Sequence, residues 1–254
     1  MTDDVGRPDP EALRGLCGGA VHLPGEAGYD AACDPARPGA AALRPAAVLY
    51  PGDESEVAEV LRAAARLGFR VLPQRTNLSP PPDRALADVL LIRTAGLGGV
   101  AIDPAGFTVR IAAGALWCEV AEAVAAAGLR VALPFDLERG AVGGSVLQGR
   151  DGPPAERIVG LRAVRVDGAV IEAGPGHPLV LALRAGVLPA AVVTEITVTP
   201  LRSPADASPE REPVADREVV PAPPAAGSHG DLVREARTSI DPDGRFALAP
   251  VGIA

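Results

Sequence analysis

Two apolar runs separated by an amphipathic stretch, at residues 46–72, constrain the fold more than any other feature of this sequence. Residues 46–50 and 69–72 are short apolar runs, each of a length suited to a strand. Between them, apolar side chains recur at helical spacing from Glu54 to Leu67, after the turn residues Pro51-Gly52-Asp53. Gly68 follows, as glycine often does where a helix ends. The sequence therefore predicts a strand, a helix and a strand in succession.

Shorter elements are predicted on both sides of this unit. A helix is predicted at residues 8–17, a hairpin at residues 100–112, a helix at 116–127 and a short helix at 179–184. Asp167-Gly168 marks the tight turn of a second hairpin. The alternating side-chain pattern of residues 191–200 predicts a strand. Residues 73–85 and 134–152 are predicted to be two long loops. This mixture indicates an α+β fold.

Charge and composition exclude several classes of function. The chain has 254 residues and a net charge of −8, and its arginines are scattered, whereas a nucleic-acid surface needs clustered positive charge. No apolar run approaches the roughly 18 residues of a membrane span. The acidic start and the odd number of cysteines, three, favour a cytoplasmic, reduced protein. The three histidines are far apart, so we expect no metal site.

Five segments in order resemble the FAD-linked oxidases similar to berberine bridge enzyme. The segments lie at residues 44–74, 88–131, 159–173, 182–201 and 234–246, and the first reads RPAAVLYPGDESEVAEVLRAAARLGFRVLPQ. The resemblance implies a PCMH-type FAD-binding domain made of two small α+β subdomains. It also implies that the two long loops face one cleft, where the family holds FAD.

The two loops depart from the family's pattern. The first loop of the family reads like Gly-Thr-Gly-His-Gly, with a histidine that can bond to the flavin, and here Leu78 stands at that histidine's place. Only Thr76 keeps the family's residue type. The second loop keeps part of a glycine-dense pattern and lacks the cysteine that anchors flavin in some members. The residues implied to contact FAD, if it is retained, are Thr76, Gly140, Gly143 and Gly144.

The family's substrate domain also has no counterpart here. Residues 1–201 are interpreted as the FAD-binding-type domain, residues 202–228 as a linker rich in proline and alanine, and residues 229–254 as a tail resembling the family's C-terminus. Since that substrate domain carries most of the acids and bases of the oxidases, none of them can be assigned in this sequence. Apolar surface left uncovered would favour a homodimer.

Three hypotheses about function follow. The first is a non-redox enzyme for natural-product tailoring (cyclisation, addition or rearrangement) that has lost FAD and binds a small molecule in the former cofactor cleft. Its catalytic residues would be Arg75, Asn77, Glu138 and Gln148, as hydrogen-bond donors and an acid or base. The second is an FAD-linked oxidoreductase that binds FAD without a covalent bond. The third is a non-catalytic partner of a full-length oxidase. We expect the first, with no cofactor.

Overall fold

The computed structural model describes residues 9–34, 42–76, 86–132, 140–148, 155–184 and 191–202. Within these ranges the chain forms two main sheets with helices packed on them, which confirms the predicted α+β class. The predicted linker, apart from Arg202, and the predicted C-terminal tail lie outside the described residues. No helix in the described ranges is long and apolar enough to cross a membrane.

The first sheet contains the predicted strand–helix–strand unit. Its strands are β1 (Val21–His22), β2 (Ala47–Leu49), β3 (Arg70–Gln74) and β4 (Val89–Arg93), in the spatial order β1-β2-β4-β3. Strands β2, β4 and β3 are parallel, and β1 is antiparallel to β2. Every residue of β4 is buried, as expected for a strand of a sheet that is covered on both faces.

Helices α1 (Ala27–Cys33) and α2 (Glu54–Leu67) cover opposite faces of this sheet. Leu90 packs in the core beside α2, whereas its neighbour Leu91 packs in the core beside α1, because successive side chains of a strand point to opposite faces. Helix α2 begins at the cap residue Asp53, whose carboxylate accepts a hydrogen bond from the Glu56 amide at 2.9 Å.

The later part of the described chain forms a second sheet, a two-stranded ribbon and three helices. The strands are β5 (Val100–Asp103), β6 (Thr108–Ala112), β7 (Leu129–Arg130), β8 (Ile158–Arg165), β9 (Val170–Ala173), β10 (Ala191–Val198) and β11 (Leu201–Arg202), and the helices are α3 (Trp117–Ala125), α4 (Val142–Gln148) and α5 (Pro178–Arg184). The second sheet is antiparallel, with the spatial order β5-β6-β10-β8-β9. Helices α3, α4 and α5 pack on one of its faces, in a core that contains the buried Trp117. The ribbon pairs β7 with β11.

Helix α2 joins the two sheets. Val164 of β8 and Val192 of β10 lie in the same core as the apolar face of α2. At the start of α2, the Glu54 carboxylate accepts hydrogen bonds from Arg162 at 2.6 and 3.3 Å and from the Thr194 hydroxyl at 2.6 Å. Helix α2 therefore contributes to fixing the first sheet against the second.

Two local predictions were wrong, and one helix was not predicted. Helix α4 lies inside the predicted loop 134–152, because its Gly143-Gly144 pair disfavours a helix by local propensity and is overridden by packing. The expected helix at residues 8–17 is only a 3₁₀ turn, Pro10–Leu13. Helix α1 was not predicted, since seven residues are too few to show a clear period.

Candidate cofactor site

The three parallel strands of the first sheet end at one edge. Strands β2, β3 and β4 are followed there by Tyr50, Arg75 and Thr94. In open sheets with parallel strands, ligands bind in the crevice outside the carboxyl ends of the strands. This edge is therefore a candidate ligand-binding site. It contains two of the predicted site residues, Arg75 and Thr76.

Arg75 projects from this edge toward the second sheet. Its Nε donates a hydrogen bond to the carbonyl oxygen of Gly114 at 3.1 Å. The side chain is half-buried, and in the described part of the chain no carboxylate forms an ion pair with it. The guanidinium is thus held in position by one bond while its two Nη groups have no protein partner among the described residues.

Two further polar side chains lie at the ends of neighbouring strands. Gln74 and Arg93 face each other in the register of β3 and β4. Arg93 is 6% exposed, donates a hydrogen bond to the Ala32 carbonyl and also contacts the Tyr50 hydroxyl. Burial lowers the pKa of Arg93, and the nearby Arg75 cation acts in the same direction.

The Gln74 side chain has an unsatisfied oxygen. Its Oε1 atom is buried and has no hydrogen-bond partner among the described residues. A buried acceptor without a donor destabilises a fold by about 1–3 kcal/mol, so such atoms commonly mark places where a ligand or water donates. Gln74 begins the polar run 74–77 that the sequence already marks as a candidate for ligand contact, whereas Arg93 was not predicted, because in the sequence it looks like the ordinary end of a strand.

The second predicted loop approaches the same edge from the other side. The Gly140 carbonyl accepts a hydrogen bond from the Trp117 amide, and the Val142 amide donates to the Ala115 carbonyl, both at 3.0 Å. The Gly143 amide donates to the Ala113 carbonyl at 2.8 Å. Residues 140–143 are therefore held against residues 113–117 by backbone hydrogen bonds.

The two predicted loops form hydrogen bonds with two adjacent residues, Ala113 and Gly114. Arg75 is bonded to the carbonyl of Gly114, and Gly143 is bonded to the carbonyl of Ala113. Gly114 itself lies so close to the first sheet that an added Cβ would be 1.7 Å from the Thr94 oxygen. The structure thus brings together segments that are about 70 positions apart in sequence, as the family resemblance implied.

The predicted glycines have different roles. Gly143 is buried, and an added Cβ there would lie 2.9 Å from the Ala113 Cβ, so its small size serves packing. Gly144 is exposed, with no atom within 4 Å of an added Cβ, so a ligand can approach its backbone. Gly140 is buried and contributes a carbonyl to the backbone pairing.

The remaining predicted site residues are only partly described. Thr76 is half-buried and directly follows Arg75 at the sheet edge. Gln148 is the last residue of α4, and its side chain is not described. Asn77 and Glu138 lie outside the described residues, so their predicted catalytic roles stay predictions. Within the described ranges, no three metal-binding side chains come together.

These features fit a cofactor that is both anionic and rich in hydroxyl groups. The Arg75 guanidinium offers donors that have no partner in the described part of the chain to phosphate oxygens, and the Gln74 oxygen can accept from a hydroxyl group. The open backbone at Gly144 permits close approach. FAD has a diphosphate and a ribityl chain, and therefore meets both requirements.

Comparison with known proteins identifies the family. The model described as an FAD binding domain matches residues 45–174, half of the chain, and the chain therefore belongs to this family. The expectation that the protein has no cofactor is wrong, because the family match and the oxidase folds described next point to FAD. The loss of glycines from the first loop does not imply loss of the cofactor, because a side chain can replace backbone hydrogen-bond donors.

Solved structures show the same fold in oxidases. A variant of Physcomitrella patens BBE-like 1 is 19% identical, with a TM-score of 0.62 over 73% of this chain and 42% of its own. For 6-hydroxy-D-nicotine oxidase from Arthrobacter nicotinovorans, the values are 23% identity, a TM-score of 0.59, and coverage of 73% and 43%. Xylooligosaccharide oxidase from Myceliophthora thermophila C1 is 16% identical, with a TM-score of 0.60 and coverage of 72% and 41%.

These matches confirm the PCMH-type FAD-binding fold of FAD-linked oxidases. The chain spans about two-fifths of the length of the solved structures that it matches. The comparison with curated proteins found no match.

Proposed function

We propose that this chain is an FAD-binding part of an FAD-linked oxidoreductase, with FAD held non-covalently in the cleft between the two sheets. The observation that carries the proposal is the meeting of both cofactor loops on Ala113 and Gly114 at the carboxyl edge of the parallel strands. The family match supports it. The comparisons favour this reading over the non-redox tailoring reaction.

The residues that would hold FAD come from both sides of the cleft. Thr76 and the Gln74 oxygen lie at the edge of the first sheet, and Gly144 offers open backbone on the second side. Gly140 and Gly143 act indirectly, because they hold that second side in place through backbone hydrogen bonds. When bound, FAD supplies the redox chemistry by accepting a hydride equivalent from an organic substrate.

The proposal of non-covalent binding rests on the sequence of the two loops. Neither residues 73–85 nor residues 134–152 contain a histidine or a cysteine, the side chains that anchor flavin in the related oxidases. Cys17 and Cys33 are buried in the cores of the first subdomain and cannot serve as anchors. We therefore expect FAD to be released intact when the protein unfolds.

The substrate is proposed to be a small organic molecule that reaches the flavin from outside the described residues. Because the chain spans about two-fifths of the related oxidases, the wall that would face the substrate is proposed to come from a further polypeptide segment or a partner chain. A role as partner of a full-length oxidase stays an alternative on the same grounds. A homodimer and a cytoplasmic location also stay predictions.

The experiment is a titration of the purified protein with FAD, followed by absorbance and flavin fluorescence. We expect saturable binding of one FAD per chain and complete release of the yellow flavin into the supernatant after acid precipitation. Yellow colour retained in the washed precipitate would contradict non-covalent binding. Failure to bind FAD at any concentration up to the millimolar range would contradict the proposed function.

A further inference from the structure

We propose that the Arg75 side chain is the diphosphate contact of the cofactor, in the role that bare backbone amides of a glycine-rich loop would otherwise fill. This inference rests on the proposed function and adds the residue that selects for a phosphorylated ligand. It also gives Arg75 a binding role in place of the catalytic role expected from the sequence.

The geometry prepares this guanidinium to bind an anion. One hydrogen bond, from Nε to the Gly114 carbonyl, fixes the direction of the guanidinium plane at the meeting point of the two loops. Both Nη groups have no partner among the described residues, and together they form the fork that can bind two oxygens of a phosphate. Because the fork is already oriented, little side-chain entropy is lost on binding.

The local charge favours the same conclusion. Elsewhere in the described chain, arginines such as Arg70 and Arg162 pair with carboxylates at 2.6 Å. Arg75 is half-buried and forms no such ion pair with the described residues. A positive charge held at a crevice without a carboxylate partner among those residues favours the approach of an anion.

The test compares FAD with riboflavin, which shares the flavin ring and ribityl chain but lacks phosphate. Dissociation constants are measured by flavin fluorescence for the natural protein, Arg75→Ala, Arg75→Lys and the control Arg66→Ala, which removes an exposed arginine from the last turn of α2. We expect Arg75→Ala to weaken FAD binding roughly ten- to hundredfold and to leave riboflavin binding unchanged. Arg75→Lys should recover part of the loss, and Arg66→Ala should bind FAD as the natural protein does.

Two results would overturn the inference. If the natural protein binds FAD and Arg75→Ala binds it equally well, the diphosphate is held elsewhere, although the proposed function stands. If Arg75→Ala weakens the binding of riboflavin as well, Arg75 supports the fold of the cleft and does not recognise the phosphate groups.

A second probe separates this inference from the proposed function. Binding of ADP is followed by the broadening of its phosphorus NMR signals. If FAD is not bound but ADP binds in an Arg75-dependent way, the phosphate contact stands and the flavin function falls. If neither ligand binds to the natural protein, both are overturned.

Discussion

The two sides of the cleft are built in opposite ways. On the first sheet, large polar side chains extend from the ends of buried strands, and Arg75 reaches across to the other side. On the second side, residues 140–143 lie flat against residues 113–117, joined by backbone hydrogen bonds, and Gly143 leaves no room for a side chain. The contrast teaches that the two sides depend on different residue types: the first side presents polar side chains, whereas the second side depends on glycine for close backbone packing.

The strongest test of this contrast is Gly114→Ala, where the two sides touch. The new methyl group would lie 1.7 Å from the Thr94 oxygen and 2.7 Å from the Leu97 oxygen, both of them backbone atoms that cannot move aside alone. We expect the free energy of unfolding to fall by about 3 kcal/mol, at the upper end of overpacking effects. Chemical denaturation measures the change.

The matched control for this change is Gly144→Ala. It adds the same methyl group within a helix, where no atom lies within 4 Å. Because alanine is about 0.5–1 kcal/mol more favourable than glycine in a helix, the control should be neutral or slightly stabilising. If both substitutions destabilised the protein equally, the distinction between Gly114, which packs against backbone atoms, and Gly144, which faces open space, would be wrong.

The next largest decrease in the free energy of unfolding is expected for a substitution of Glu54, whose carboxylate connects α2 to the second sheet through hydrogen bonds. Burial raises the pKa of this carboxyl, but the hydrogen bonds from Arg162 and Thr194 outweigh burial, so the pKa lies below its usual value. At neutral pH, Glu54→Gln should lower the free energy of unfolding by about 1 kcal/mol. Denaturation curves at several pH values measure it.

The sign of the pH dependence makes this prediction specific. A carboxyl with a lowered folded-state pKa stabilises the protein above its unfolded pKa, near 4.3, and this contribution is lost as the pH falls through the folded-state pKa. The difference between natural protein and Glu54→Gln should therefore shrink below about pH 4. Glu172→Gln is the control, because the Glu172 side chain bonds the same Arg162 but is 76% exposed. A constant difference at all pH values would show that Glu54 acts through shape and not charge.

Periodicity was sufficient to predict α2, and the Asp167-Gly168 turn was sufficient for its hairpin, since each depends on neighbours in sequence. The family resemblance also placed Arg75, Thr76 and Gly140 near one cleft. The sequence could not show that Arg75 bonds to Gly114, because that contact joins residues 39 positions apart through a loop with no repeating pattern. Nor could it show that Gly143 serves packing while Gly144 faces open space, since adjacent glycines look alike until their neighbours are known.

The smallest expected effect is that of Trp117→Phe, at a tryptophan whose amide bonds to Gly140 on the glycine-rich side. Its side chain is 1% exposed, and its Nε1 has no hydrogen-bond partner among the described residues. Trp117→Phe removes this unsatisfied donor, a gain of about 1–3 kcal/mol, but also removes buried carbon atoms, and the two effects should nearly offset each other. We expect the free energy of unfolding to stay within about 1 kcal/mol of the natural value, whereas Trp117→Ala should lower it by about 3–5 kcal/mol. If Trp117→Phe proved as damaging as Trp117→Ala, the indole nitrogen would have a hydrogen-bond partner outside the described residues, and this side of the cleft would also depend on a polar side chain.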